Sequence, residues 1–301
     1  MHDIIIIGGG PSGLTAAIYA CRAAKRVLII EKTAFGGQMT YSPKVENYPG
    51  LKSASGSEIA DMMLEQALAL GAEIEVDTVT GITQNPDGTK TVAGESGEYR
   101  GRAVIIAAGC RHRRMEVERE EDFIGRGISY CAVCDGAFYA GRQVAAIGGG
   151  NSALQTALML SESCEKVTIV QNLKTLTGEE RLAEQVRGKT NVEIMYGYVV
   201  DSIIGDETLK GIRLRNEYGG MTDLYVDGVF VSIGLEPENE VFRDVSELDE
   251  EGYFDSDESC TTKTPGVFVA GDCRSKKVRQ ITTAVADGTV AALAACRYLG
   301  E

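Results

Sequence analysis

Ile4-Ile5-Ile6-Ile7-Gly8-Gly9-Gly10-Pro11-Ser12-Gly13-Leu14 is the stretch that decides the fold of this chain. Four consecutive isoleucines have the continuity of a strand buried on both faces, and the glycines that follow end it. Residues 14–24 then read as a helix, and residues 27–30 as a second apolar strand running into Glu31. Strand, Gly8-x-Gly10-x-x-Gly13 turn, helix, strand and terminal acid make a complete βαβ dinucleotide unit. Gly8 permits the turn, Gly10 lets the backbone approach a pyrophosphate, Gly13 allows close helix packing, and the helix N-terminus, entered through Pro11 and Ser12, supplies amides and positive potential. Glu31 lies at the offset, about 20 residues, at which an acid accepts from ribose hydroxyls.

The same logic repeats further along. Residues 144–147 read as a strand, Gly148-x-Gly150-x-x-Ala153 as the turn with Asn151 and Ser152 inside it, 154–160 as a helix, and 167–170 as a strand running into Gln171. The chain is thus an internal duplication by fold logic. Between the two fingerprints, residues 58–70 have helical periodicity, 73–80 alternate like a strand, Asn85-Pro86-Asp87-Gly88 is a turn, and 104–108 form a buried strand ending at Gly109. Residues 266–272 form a buried strand reaching Gly271 and Asp272, and 280–299 a long helix. This last pair carries no fingerprint of its own and is expected to complete the first domain.

Composition sets the class. A chain of 301 residues with 36 glycines and 44% hydrophobic residues fits an α/β protein of two domains. No apolar run approaches the roughly 20 residues of a membrane span. The opening segment lacks a basic flank and runs into glycines, so it reads as a strand and not as a signal peptide, and a cytoplasmic location is expected. The net charge of −14 argues against nucleic acid and anionic membranes as partners.

Among the 8 cysteines, Cys131-Ala132-Val133-Cys134-Asp135-Gly136 stands between the two fingerprints. A Cys-x-x-Cys pair closes a disulfide over a short loop and its thiolates are easily tuned, which suits reversible electron exchange. Asp135, directly after it, is the candidate to carry the proton. Zinc is not expected: there is no second Cys-x-x-Cys, and the histidines are His2 and His112.

Together these motifs resemble the low-molecular-weight thioredoxin reductases, class II pyridine nucleotide-disulfide oxidoreductases. Gly36-Gly37-Gln38, Val45-Glu46-Asn47-Tyr48-Pro49-Gly50 and Arg279-Gln280 complete the ordered set, over essentially the whole length. The resemblance implies two Rossmann-like three-layer nucleotide-binding domains, the second inserted into the first: an FAD domain of residues 1–114 and 243–301, and a pyridine-nucleotide domain of 115–242 carrying the dithiol. It also implies a homodimer. The first fingerprint and Glu31 would hold the FAD adenosine diphosphate, while Gly37, Gln38, Asn47, Gly109, Gly271, Asp272, Arg279 and Gln280 would lie along the rest of the cofactor. Cys134 would face the flavin, Cys131 would attack the disulfide of thioredoxin or a thioredoxin-like protein, and Asp135 would supply and remove the proton. A dithiol under the flavin would exclude both donor and partner, so the inserted domain is expected to rotate on hinges near 113–117 and 234–240.

The second fingerprint departs from the family. NADPH-dependent members carry His-Arg-Arg after the second strand, where this chain has Gln171-Asn172-Leu173, with Thr177 in place of a further arginine. A 2′-phosphate is normally met by arginine forks, and an NADH ribose by an acid. Lys174 and Arg181 are the cations left to answer an NADPH phosphate. Gly148, Gly150, Asn151, Ser152, Ala153 and Gln171 therefore form a candidate NAD(P)H site with poor selectivity. Ferredoxin or a deazaflavin is the alternative electron source, and a dithiol oxidase passing electrons to oxygen, or a flavin-bound redox sensor, is the alternative function.

Overall fold

Isoleucines cover both sides of the first strand, so it must be sandwiched. In the computed structural model, which describes residues 1–42 and 45–300 and, for Cys134, the backbone alone, β1 (His2–Ile7) runs parallel between β2 (Val27–Glu31) and β6 (Glu98–Ile106). The chain divides into two compact units, one of residues 1–111 and 236–301, the other of 112–235.

In the first unit the sheet continues through β3 (Glu73–Val76) beyond β2, and through the antiparallel β5 (Lys90–Gly94) and β4 (Val79–Gln84) beyond β6, with β17 (Val267–Val269) also parallel to β6. Side chains alternate across a strand. Ile4 and Ile6 accordingly join Leu14, Ala17, Ile59, Ala291 and Ala295 of α1 (Pro11–Arg22), α2 (Gly56–Ala69) and α7 (Ile281–Tyr298) in one core layer. Ile5 and Ile7 join Val104, Phe242 and Phe254 in the other.

Two local readings are corrected. Residues 73–80 are not one strand. Asp77 breaks them, its buried carboxylate accepting from the Ser96 N–H at 3.1 Å and the Tyr99 hydroxyl at 2.9 Å, so that β3 pairs with β2 while β4 turns away to pair with β5. Helix α2 begins earlier than residue 58, because Ser55 and Glu58 form a reciprocal capping box.

The chain passes between the units at β7 (Arg111–His112) and β16 (Leu235–Glu236). The second unit opens with α3 (Glu120–Phe123), β8 (Ile128–Ser129) and α4 (Ala132–Asp135), then repeats the βαβ plan as β9 (Gln143–Ile147), α5 (Asn151–Leu160) and β10 (Lys166–Gln171), followed by α6 (Glu180–Arg187) and β11 (Val192–Tyr196). Its parallel sheet has the order β11-β10-β9-β15-β8, where β15 is Gly228–Val231. An antiparallel sheet of β12 (Tyr198–Gly205), β13 (Leu209–Asn216) and β14 (Met221–Leu224) accompanies it. The architecture is α/β, with a parallel Rossmann-like sheet in each unit. No helix among the described residues is long and apolar enough to cross a membrane.

Candidate active site

The first glycine loop is built by close approach. Gly8 has φ +106°, and a Cβ there would lie 2.2 Å from the Ala107 carbonyl oxygen, so no other residue fits the turn. Gly13 lets α1 settle on Gly8 in the same way. Gly10 differs: a Cβ there would meet nothing nearer than the Gly37 Cα at 3.9 Å. What its missing side chain leaves is open room at the N-terminus of α1, where Pro11 occupies the first turn and no side chain caps the helix.

Polar groups gather around that opening. Glu31, buried at the end of β2, accepts from the Gly9 N–H at 2.7 Å and from the Thr33 N–H at 3.1 Å, which fixes the carboxylate and leaves it further acceptor capacity. Ser12 reaches the Ala270 carbonyl, and a Cβ on Gly271 would touch the Ser12 hydroxyl, so the turn after β17 lies against the start of α1. Asp272 follows. Its Oδ1 is buried with no hydrogen-bond partner, and burial pushes its carboxyl up from the ordinary aspartate range. A buried acceptor without a donor calls for a hydroxyl or N–H from a ligand.

The remaining sequence-selected residues of this unit fall into two groups. Gly37 touches Gly10 through the backbone and opens a short turn containing Gln38, and the Asn47 amide donates to the Gln280 Oε1 at 3.2 Å. Gln280 caps α7. Gly109, with φ +68°, follows β6 beside the Cys273 thiol. Arg279 is held in place: its guanidinium lies 4.1 Å from the Tyr253 ring centroid and its Nε donates to the Asp272 carbonyl.

The second loop is nearly superposable in logic. Gly148 has φ +122° with its Cβ position 2.3 Å from the Ser232 carbonyl oxygen, and Gly150 faces open space up to the Thr177 hydroxyl at 3.8 Å. Ala153 is buried, and Asn151 exchanges hydrogen bonds with Glu179. Ser152 is exposed on the first turn of α5. At the strand end stands Gln171, 3% exposed. Its Nε2 donates to the Thr175 carbonyl at 3.0 Å and its Oε1 accepts from the Asn172 N–H at 3.1 Å.

A cavity of about 480 Å³ opens here, lined by the glycine loop, Gln171, Asn172, Leu173, Thr177, Tyr198 and Arg113 among others. Arg113, expected from sequence only near a hinge, is a lining cation. Lys174, expected to answer a phosphate, is not in the lining and is paired with Glu217 at 3.0 Å, and Arg181 is not in the lining either.

Cys131 immediately precedes α4 and Cys134 lies within it. Cys131 is disulfide-bonded, whereas Cys21, Cys110, Cys164, Cys260 and Cys273 are outside any disulfide. The role expected of the Cys134 side chain lies outside the described residues. Asp135 is held by two contacts: its N–H donates to the Cys131 carbonyl at 3.1 Å, and its Oδ2 accepts from the Ser129 hydroxyl at 2.6 Å. Ser129 was not singled out from sequence; the signal available was a hydroxyl two residues before the first cysteine. Among the described residues no group of three or more His, Cys, Asp and Glu side chains is arranged to hold a metal ion.

Known proteins give this geometry its relatives. The profile of the pyridine nucleotide-disulphide oxidoreductase family matches residues 2–288. A thioredoxin reductase of Listeria innocua is 40% identical over 303 residues, covering 100% of this chain and 95% of that one. The solved thioredoxin reductase of Lactococcus lactis, in its FR conformation, is similar with a TM-score of 0.96 and 36% identity over 99% of each chain. That of T. acidophilum is similar with a TM-score of 0.94 and 34% identity over 98% of each.

Proposed function

The chain belongs to the pyridine nucleotide-disulphide oxidoreductase family, and from that premise we propose a flavoprotein disulfide reductase that reduces thioredoxin or a thioredoxin-like protein. The observation that carries this reading is the disulfide at Cys131, in Cys-x-x-Cys-Asp-Gly, within a unit that also holds a glycine loop and cavity. FAD fits the first unit: open room over Gly10, the uncapped α1 terminus, the fixed Glu31 carboxylate and the Asp272 Oδ1, which lies 4.0 Å from the Lys276 ammonium and accepts no hydrogen bond, suit a dinucleotide with a hydroxylated chain. When bound, FAD takes two electrons from a donor and makes them available to a disulfide.

The protein's own residues do the rest. Gly8, Gly10, Pro11, Ser12, Gly13 and Glu31 would bind the adenosine diphosphate end, and Gly37, Gln38, Asn47, Gly109, Gly271, Asp272, Arg279 and Gln280 the remainder. Once Cys131 and Cys134 are reduced, the Cys131 thiolate attacks one sulfur of the partner disulfide, and the electron pair of the broken bond leaves on the other sulfur. Cys134 then attacks the Cys131 sulfur and releases the partner's second thiolate. The two protons lost by the enzyme thiols end on the partner thiols, and we assign their transfer to Asp135.

The donor we assign is a nicotinamide nucleotide on the loop of Gly148, Gly150, Asn151, Ser152 and Ala153, with Gln171 at the ribose end. A neutral amide there neither attracts a 2′-phosphate nor repels it, so NADH and NADPH should compete closely. Ferredoxin as donor is the second reading, favoured by the same neutral Gln171. The resemblance further supports a homodimer working in the cytoplasm. Anaerobic mixing of the FAD-loaded protein with NADH, NADPH or reduced ferredoxin, followed by oxidised thioredoxin, tests the scheme. Bleaching of the flavin band by a nucleotide and appearance of thioredoxin thiols is the expected result. Thiol oxidation with oxygen uptake and no activity on thioredoxin would point to a dithiol oxidase instead.

A further inference from the structure

The acid of Cys131-x-x-Cys134-Asp135 sits at the end of a single helical turn, α4, which is too short to hold a side chain in one place unaided. A residue outside the motif does so. Ser129 ends β8, whose parallel pairing with β15, Ser129 opposite Phe230, fixes its backbone in the central sheet of the second unit. It is buried, at 5% exposure. Its Oγ has three polar neighbours: the Asp135 Oδ2 at 2.6 Å, the Cys131 N–H at 3.0 Å and the Cys131 carbonyl oxygen at 3.2 Å.

A hydroxyl has one hydrogen and two lone pairs, so the arrangement has a best solution. The N–H of Cys131 donates into Ser129, and Ser129 donates its hydrogen to the much closer oxygen, that of Asp135. Hydrogen bonds to a carboxylate are the shorter and stronger kind. The Asp135 N–H closes the ring on the Cys131 carbonyl at 3.1 Å. One serine therefore ties the attacking cysteine's backbone and the acid's carboxyl to the same strand, β8 at the edge of the parallel sheet.

We propose that Ser129 is a positioning residue for thiol–disulfide exchange, holding Asp135 so that its other oxygen, Oδ1, takes the proton of an enzyme thiol and returns it to the departing partner sulfur. This rests on the reading of Asp135 as proton carrier. In each exchange the thiol sulfur forms one new S–S bond, one S–S bond breaks, its electron pair goes to the leaving sulfur, and one proton passes from thiol to carboxylate to leaving thiolate. Ser129 neither gains nor loses an atom. Its hydrogen bond keeps the Asp135 carboxyl group aimed while that group takes the proton, holds it and gives it up.

The test uses the FAD-loaded enzyme and oxidised thioredoxin. Ser129→Ala should lower kcat about tenfold with KM little changed, and should raise the solvent deuterium isotope effect on kcat as proton transfer becomes limiting. Ser129→Thr, which restores the hydroxyl, should recover most of the rate, and Ser129→Cys, nearly isosteric with a weak donor, should fall between, so that a folding failure of one variant leaves two others. FAD content and the rate of flavin reduction by the donor should stay at wild-type values. Added to Asp135→Asn, Ser129→Ala should cost almost nothing more. Unchanged kcat in Ser129→Ala, or a loss that multiplies with that of Asp135→Asn, overturns the proposal while leaving Asp135 its role. Full activity of Asp135→Asn overturns both.

Discussion

The two glycine loops are built to one plan and finish differently. Gly8 and Gly148 both take a left-handed φ and press on a backbone carbonyl of a neighbouring segment, and Gly10 and Gly150 both leave open room at a helix start. Gln171 follows Gly148 at the same spacing at which Glu31 follows Gly8. Glu31 is a charge fixed by the Gly9 and Thr33 amides. Gln171 is a neutral amide with both ends engaged by Thr175 and Asn172. The glycine-loop geometry is thus duplicated, while the strand end is charged at the first loop and neutral at the second. A loop can retain its glycines for packing and lose its selectivity by changing one strand-end residue.

Substitutions can break that comparison at each level. The largest effect should come from Gly8→Ala, which forces a clash at 2.2 Å on a backbone at φ +106°. We expect a loss of stability on the order of 3 kcal/mol or more, read from chemical denaturation of the apoprotein. Gly10→Ala meets no protein atom within 3.9 Å, so the apoprotein should denature as wild type does while FAD binding collapses. Equal destabilisation of the two variants would mean that the opening over Gly10 is not a ligand site.

Next in size is Glu31→Gln, which gives the first loop the ending of the second. FAD affinity should fall by about 10- to 100-fold, the scale of a hydrogen bond to a charged group, measured by fluorescence of released flavin. The converse change, Gln171→Glu, should favour NADH over NADPH by roughly tenfold through repulsion of the 2′-phosphate, and Asn172→Arg should move the ratio the other way by a similar factor. Indifference of both ratios would show that the cavity at the second loop does not hold the adenosine end of a donor.

The smallest effect concerns the cysteines outside the motif. Burial pushes the thiols of Cys110 and Cys260 up to about 12 and that of Cys273 up to about 11. A thiol raised on folding is neutral in both states below its unfolded value, and it costs stability only as pH climbs from about 9 towards the folded value. At pH 8 these thiols should resist iodoacetamide in the native protein, whereas reduced Cys131 should be labelled, as peptide mapping by mass spectrometry would record. Rapid native labelling of Cys260 or Cys273 would contradict their burial.

Sequence patterns revealed the features that depend on neighbours along the chain. Both loops, the strand-end residues Glu31 and Gln171, and the Cys-x-x-Cys-Asp motif are each contained in one βαβ unit or one turn. Features assembled from distant segments were not legible. Arg113 enters the second cavity because the chain returns beside Gly234, to which its N–H is bonded, and no local signal announces that. Lys174 looked available until folding placed Glu217 beside it. Ser129 is an ordinary serine until β8 pairs with β15 and the helical turn brings Asp135 back over it. The break at Asp77 likewise needs Ser96 and Tyr99 from the far side of a hairpin.

In the proposed relay electrons enter through the second glycine loop and leave through the dithiol. Stopped-flow spectroscopy of the FAD-loaded protein under anaerobic conditions, with NADH and NADPH in separate titrations, tests the entry directly. Both nucleotides should bleach the flavin band, with half-saturating concentrations within about tenfold of each other, since neither the arginine fork nor the acid that separates them is present. Failure of both nucleotides to reduce the flavin, with full bleaching by reduced ferredoxin, would contradict this relay and leave the second loop a structural remnant.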